Sequence, residues 1–199
     1  NISIGSGVTL STNNAPLANS ATGVIQSNGT LDLGTGSFSN SGAATFDGVY
    51  NVSTTNATGG VVTFNGSAST GTLNLSGGAV TGSGDLTVTT DINQSGGTLG
   101  TTFSDLVLNK LGNFTVGVAG FSAVDSVRLV ATGDITLNGP ITATGGTGDA
   151  IVLAAGGNFI NSMGSAVLNP GSGRWLVYST SPAGSTENGL TSVADPTAP

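Results

Sequence analysis

The sequence predicts an all-β protein built as a parallel β-solenoid, and three observations carry that prediction. A short phrase recurs from end to end: a Gly, a small polar residue, then apolar and polar residues in alternation. It reads Gly29-Thr30-Leu31-Asp32-Leu33, Gly71-Thr72-Leu73-Asn74-Leu75, Gly84-Asp85-Leu86-Thr87-Val88, Gly112-Asn113-Phe114-Thr115-Val116 and Gly133-Asp134-Ile135-Thr136-Leu137, with a looser copy at Gly157-Asn158-Phe159-Ile160-Asn161. Alternation with period two describes a strand with one apolar face, and the Gly before it marks a turn. The copies come at intervals of roughly 20 residues, the habit of solenoids, whose units bury their apolar faces only by stacking on neighbours. Finally, 37% of the 199 residues are hydrophobic while only 7% are charged. Stacked rungs place like side chains about 4.8 Å apart, where equal charges repel and Ser, Thr and Asn do not.

Taken in order, short strands alternate with Gly/Ser/Thr/Asn turns from Ile2 to about Asn109. Val8-Thr9-Leu10, Gly23-Val24-Ile25-Gln26, Ala44-Thr45-Phe46 with Val49-Tyr50, and Val61-Val62-Thr63-Phe64 are examples. The Asn-Gly pairs at 28–29, 65–66 and 138–139 are expected to supply positive φ for tight turns. No apolar stripe at helical spacing occurs, and the 34 Gly and many β-branched residues disfavour helix throughout. From about Leu106 to Leu168 the rungs read more cleanly, through Leu106-Val107-Leu108, Val127-Arg128-Leu129-Val130, Ile141-Thr142-Ala143 and Ile151-Val152-Leu153. Repeat length drifts most before Thr101, where loops or an excursion from the helix are expected. At about 20 residues and about 4.8 Å of rise per rung, the chain would make roughly eight rungs and a rod near ~40 Å long.

At Pro170 the character changes. Asn169-Pro170-Gly171-Ser172-Gly173 is a strong turn signal, followed by Arg174-Trp175-Leu176-Val177-Tyr178-Ser179, with the only Trp and one of two Tyr. Pro182, Pro196 and Pro199 then punctuate a polar tail. The chain therefore divides into repeats over 1–169 and a terminal aromatic strand with tail over 170–199. This strand is expected to cover the last rung, since a terminal rung must hide its apolar edge. Trp175 and Tyr178 are also the one candidate platform for stacking on a sugar.

Charge and missing residue types narrow the function. Net charge is −7, and the basic residues are Lys110, Arg128 and Arg174 alone. Nucleic-acid binding needs clustered Lys and Arg, so that class is excluded, and anionic membranes are disfavoured for the same reason. No apolar run approaches a membrane span, so no membrane insertion is expected. The chain opens on Asn1-Ile2-Ser3-Ile4, already strand-like, and reads as an internal piece of a longer protein. With no Cys there are no disulfides or thiolate sites, and with no His the commonest general base and transition-metal ligand are missing.

The repeated phrase and the stretch Leu168-Asn169-Pro170-Gly171-Ser172-Gly173-Arg174-Trp175-Leu176-Val177-Tyr178-Ser179 resemble the repeat regions of large bacterial exoproteins of the filamentous haemagglutinin type, exported by two-partner secretion. The second stretch looks like the segment that closes the shaft in many such adhesins. The resemblance implies a right-handed parallel β-helix, a secreted or cell-surface location, and a role in adhesion or biofilm cohesion. It implies polysaccharide or cell-surface glycan as partner, and some relatives are glycosylated. The Asn-Pro-Asn-type motif of the family's secretion domain is missing here.

The residues themselves assign no catalytic, cofactor-binding or metal-binding role. A polysaccharide-cleaving β-helix enzyme, the reading from another class, requires clustered carboxylates. Here Asp32, Asp47, Asp85, Asp91, Asp105, Asp125, Asp134, Asp149, Glu187 and Asp195 are scattered. Asp32, Asp85 and Asp134 hold similar places in the phrase, which would line them up on one face. Asp125 and Arg128 form the only local mixed-charge pair, expected to be a surface ion pair. Gly145-Gly146-Thr147-Gly148-Asp149 approaches a calcium nonapeptide, but Asp149 comes one residue early and no second copy follows. An ice-binding face needs Thr-x-Thr on rung after rung, and only Thr87-Val88-Thr89 and Thr142-Ala143-Thr144 are clear. Asn-x-Ser/Thr triplets at Asn28, Asn51, Asn56, Asn65, Asn74, Asn93 and Asn113 reflect the abundance of Ser and Thr. Exposed terminal rungs predict end-to-end self-association.

Overall fold

Period-two alternation gives each short segment one apolar edge, and no single segment can bury it. The chain solves this by coiling, so that each strand lies on the one a turn earlier. The computed structural model describes residues 1–190, and Asp195, Pro196 and Pro199 of the expected tail lie outside them. The result is an all-β solenoid in which every strand pairing is parallel and the only helical segment among the described residues is a single 3-10 turn, Pro182–Gly184.

Each turn contributes strands to three sides. On the first side, Ile2–Ile4, Val24–Ser27, Ala43–Phe46, Val61–Phe64, Ala79–Thr81 and Thr98–Leu99 pair in that order. The second side carries the longest ladder: Thr9–Ser11, Thr30–Asp32, Val49–Ala57, Ala68–Leu75, Leu86–Gln94, Asp105–Lys110, Ser126–Ala131, Asp149–Ala155 and Arg174–Ser179. The third side starts with Leu17–Asn19 and Ser37–Asn40 and continues in the second halves of three long strands. Beyond these, Phe114–Val116, Ile135–Leu137 and Phe159–Asn161 follow the second side in each turn, and Phe121–Ala123, Ile141–Ala143 and Leu168–Asn169 precede it.

The coil makes about nine turns rather than eight. The middle rungs advance by only 18 residues, with Tyr50 on Ala68 and Asn56 on Asn74. The region before Thr101 thus holds the tightest repeat. The longest rungs come late, at 27 residues between Ile141 and Leu168, where turns such as Gly145–Gly148 intervene. The middle rungs are compact because Val49–Ala57, Ala68–Leu75 and Leu86–Gln94 round a corner without leaving the strand. They are 9, 8 and 9 residues long, not short strands. At the corner two successive residues turn away from the core, Ser53-Thr54 in one rung and Gly71-Thr72 in the next, and the alternation restarts in opposite phase.

Inward positions stack into columns. On the second side one column runs Leu10, Leu31, Tyr50, Ala68, Leu86, Leu106, Val127, Ile151, Trp175. The large Tyr50 is accommodated by the small Ala68 next to it. Phe38, Phe46, Tyr50 and Phe64 form an aromatic cluster, with the Tyr50 ring centroid 4.8 Å from that of Phe46 and 4.7 Å from that of Phe64. The buried Tyr50 hydroxyl meets Thr55 Oγ1 at 2.6 Å, and Thr55 Oγ1 meets Thr70 Oγ1 at 2.9 Å. Burial pushes the Tyr50 phenol far above its ordinary range, so it stays neutral. At another corner Asn19 Nδ2 donates to Asn40 Oδ1 at 2.8 Å, and Asn40 Nδ2 donates to the Gly42 carbonyl at 2.8 Å. These buried amides bond each other and cap corner carbonyls, the Gly42 carbonyl also accepting the Val61 N–H at 2.9 Å.

The Asn-Gly pairs do not supply positive φ: neither residue of any of the three pairs adopts it. Glycine is required there by close approach instead. A Cβ on Gly66 would lie 2.1 Å from the Gly48 carbonyl oxygen, and one on Gly29 would lie 2.2 Å from that of Val8. Successive corners nest backbone on backbone, and a side chain would wedge the turns apart.

Leu137 and Ile151 are both fully buried. Leu137→Asp or Ile151→Asp should cost several kcal/mol, roughly the penalty of burying an unpaired polar or charged group. Denaturant unfolding measures it, and a wild-type midpoint in either variant would refute the inward placement. Asn40→Ala should cost about 2 kcal/mol through loss of the buried bonds that Asn40 makes with Asn19 and with the Gly42 and Gly59 carbonyls.

Candidate functional site

Outward positions stack as faithfully as inward ones, so solvent meets ladders rather than isolated residues. The most regular ladder runs along the third side through Ser39, Asn56, Asn74 and Asn93. Asn56 Nδ2 donates to Ser39 Oγ at 3.1 Å, Asn74 Nδ2 to Asn56 Oδ1 at 2.8 Å, and Asn93 Nδ2 to Asn74 Oδ1 at 3.1 Å. Lys110 Nζ closes the row, donating to Asn93 Oδ1 at 2.9 Å and to Asp91 Oδ1 at 2.8 Å. Every amide donates toward the N-terminal end and accepts from the C-terminal end, so the row is polarised in one direction, which strengthens its members.

The Lys110–Asp91 pair is more enclosed than an ordinary surface pair, each side chain retaining 18% exposure. Burial alone would raise the Asp91 pKa. Hydrogen bonds from Lys110, from the Leu111 N–H at 3.0 Å and from Asn93, together with the Lys110 charge, outweigh it and hold the carboxyl below its usual range.

A second outward ladder lies on the first side, where Gln26, Thr45, Thr63 and Thr81 stand in register. Beside it runs a column of small apolar residues, Val24, Ala43, Val61 and Ala79. The corner next to it is tied by Gln26 Nε2 to Asp47 Oδ2 at 2.6 Å and Asn65 Nδ2 to Asp47 Oδ1 at 2.8 Å. This Thr ladder was hidden in the sequence because it uses one Thr per turn at 18-residue spacing in a Thr-rich chain. Thr87-Val88-Thr89 and Thr142-Ala143-Thr144, the visible Thr-x-Thr pairs, belong to different sheets.

Asp32, Asp85 and Asp134 do not line up. Asp32 sits on Asn51 within the second side, Asp85 immediately precedes the strand Leu86–Gln94, and Asp134 lies at a third-side corner, accepting the Asn158 N–H at 2.7 Å. Asp32 is the fourth residue of its copy of the phrase and Asp85 the second, so on the same side they fall two positions apart, and the copy that holds Asp134 lies on a different side. Asp125 accepts from Ser104 Oγ at 2.6 Å rather than pairing with Arg128, and Asp105 accepts from Ser126 Oγ at 2.6 Å. The ion pairs among the described residues are Lys110–Asp91 and Arg174–Asp149. Each joins consecutive turns, which is why no local reading finds them. Asp149, at the end of the calcium-like stretch, is the partner of Arg174. No group of three or more potential metal ligands converges among the described residues.

Trp175 and Tyr178 belong to the ninth strand of the second side and leave it in opposite directions. Trp175 continues the inward column on Ile151, whereas Tyr178 lies on Ala154 and is 56% exposed. Both border an opening of about 560 Å³ together with Phe159, Pro182, Glu187 and Leu190.

Compared with protein families, with curated proteins and with solved structures, the chain gives no match in any of the three. The class that fold and surface define is a parallel β-solenoid with hydrogen-bonded polar ladders.

Because the Asp91 pKa is lower folded than unfolded, its contribution to stability is complete above about pH 4 and is lost as pH falls through the folded value. Asp91→Asn should therefore lose less melting temperature than the wild type between about pH 5 and about pH 2.5. Equal losses would show that the pair does not form as described.

Proposed function

We propose that the chain is a stiff shaft segment of a secreted bacterial surface protein of the filamentous haemagglutinin type, which holds polysaccharide or cell-surface glycan along its side without cleaving it and so serves adhesion or biofilm cohesion. The observation that supports this reading best is the ladder Ser39, Asn56, Asn74, Asn93, one polar group per turn at a rung spacing of about 4.8 Å. Within the row each Asn amide commits one N–H to its neighbour. At Asn56 and Asn74 the second N–H and a carbonyl lone pair remain for a ligand. An extended glycan repeats its hydroxyls at a comparable interval, so contacts stay in step along several turns. Contacts weak one by one then add through multivalency. The carboxylates fit the same reading, since Asp47, Asp105, Asp125 and Asp134 are engaged in bonds that join turns. End-to-end association of such shafts through their terminal strand edges belongs to the same proposal.

The first-side ladder favours a second reading, templating of an ordered surface such as ice. Thr45, Thr63 and Thr81 form a rank beside Ala43, Val61 and Ala79, combining hydroxyls with small apolar groups.

Retention of the purified chain on cellulose, chitin, dextran and a glycan array, with and without calcium and with product analysis, tests the first reading. It should be retained without cleavage products. The combined variant Asn56→Ala, Asn74→Ala, Asn93→Ala should bind about tenfold more weakly, with its melting temperature close to that of the wild type. Cleaved products, or undiminished retention by the variant, would reject it. Growth-arrest of ice crystals that disappears in Thr63→Lys would instead establish the second.

A further inference from the structure

The ladders are interrupted once on the third side. Asp91–Gln94 pairs with Thr72–Leu75 on one flank, and the strand of the following turn joins Leu86–Gln94 only through Leu86–Val88. The next third-side segment, Phe114–Val116, pairs with Ile135–Leu137. Among the described residues, each of these two segments has one flank with no strand partner. Both flanks border a cleft of about 550 Å³, lined by Ile92, Asn93 and Gln94 from one segment and Asn113, Phe114 and Thr115 from the other.

Backbone direction follows from the bonds that are made. The Ser95 N–H donates to the Leu75 carbonyl, so by alternation the N–H and C=O of Gln94 and Ile92 point away from that neighbour, toward the cleft. The Phe114 N–H donates to the Asp134 carbonyl and the Val116 carbonyl accepts from Asn138, so the N–H and C=O of Thr115 point toward the cleft from the other wall. Side chains mark the same break. Gln94 occupies the inward column of Asn40, Ala57 and Leu75, yet it is exposed. Phe114 and Phe121 keep 6% and 7% exposure at the cleft, where the other buried Phe side chains keep at most 1%.

We propose that this cleft is a strand-acceptor site, taking an extended peptide segment that adds as a parallel strand between Ile92–Gln94 and Thr115. Such a strand uses both of its hydrogen-bonding flanks, one on each wall, as peptide recognition by strand addition requires. Its central side chain is apolar, entering between Ile92 and Phe114, and its neighbours are small and polar, facing Asn93 and Thr115. A glycan has no alternating N–H and C=O to match two edges. The charged groups at the mouth, Lys110 and Asp91, are already bound to each other, so the site asks for a neutral segment. This site does not depend on the glycan reading of the ladder.

The test uses the purified chain and a panel of fluorescein-labelled peptides with alternating polar and apolar residues. One member is Thr-Gly-Thr-Leu-Asn-Leu-Ser, which copies residues 70–76. Anisotropy should show saturable binding by at least one member, and amide exchange at Gln94 and Thr115 should slow by roughly tenfold or more at saturation. The same peptide N-methylated at two adjacent central residues loses a donor toward each wall and should bind at least about tenfold more weakly. Thr115→Pro, which removes the N–H of one wall, should lose the peptide while keeping a melting temperature close to that of the wild type. If that variant fails to fold, the N-methylated peptide still decides. Absence of protection at millimolar concentration across the panel overturns the proposal, as does equal binding of the N-methylated peptide. Protection of the same amides by a chitin tetramer that displaces the peptide overturns it too, making the cleft a sugar site.

Discussion

Parallel stacking in register is the constraint on which everything else in this molecule depends. Among the described residues no strand bonds to its sequence neighbour as a hairpin would. Each finds its partners one turn back and one turn on. A residue's surroundings are therefore set by residues 17 to 27 positions away, and like stacks on like. Inside, this produces continuous apolar columns closed by an aromatic cluster. Outside, it forbids repeated charge and favours amides and hydroxyls, which gain from lying over their own kind. The low charge content and the polar ladders are two consequences of a single geometry.

The same geometry explains where the few charges go. Lys110 and Arg174 each reach across to an Asp of the preceding turn, so charge serves as a tie between turns rather than as surface decoration. Several Asp residues do likewise with Ser or backbone donors, as Asp125 does with Ser104 and Asp134 with Asn158. Carboxylates spent in this way tie turns at several corners, and at one of them the ties are reciprocal, Asp105 bound to Ser126 and Asp125 to Ser104.

What the sequence could disclose was whatever repeats over a few residues. Alternation in Ile135-Thr136-Leu137 or Val127-Arg128-Leu129-Val130 separates inside from outside, and the structure places these residues accordingly. The β-solenoid class was legible for the same reason. Register was not, because it is a relation between turns whose lengths vary. Asp32, Asp85 and Asp134 share a local phrase, yet Asp32 and Asp85 stand two positions apart on one side and Asp134 on another. Thr45, Thr63 and Thr81 follow two small apolar residues each, in a second phrase, and form one rank. The corners misled in another way. Asn28-Gly29 and Asn65-Gly66 look like turns that need an unusual φ, but their glycines answer to a carbonyl of the previous turn that leaves no room for a Cβ.

The break in the third-side ladder shows how a solenoid tolerates a fault in its own repeat. Leu86–Gln94 meets the strand below it through seven registered pairs and the strand above through three. In a stack held together by nearest-neighbour contacts, such a junction is the weak interface. The side chains gathered there compensate. Asn109 Nδ2 donates to the Thr89 carbonyl at 2.9 Å, the Leu111 N–H donates to Asp91, and Lys110 binds both Asp91 and Asn93. Three consecutive residues of the upper turn thus grip the lower strand where backbone pairing ends. The more enclosed of the two ion pairs belongs at this point because a side-chain clamp can hold two turns together without closing the ladder beyond it. Continuity of the second side fixes the two halves of the rod to each other, the clamp fixes one end of the gap, and the remaining edges of Ile92–Gln94 and Thr115 stay available as the one interrupted stretch of an otherwise saturated third-side ladder.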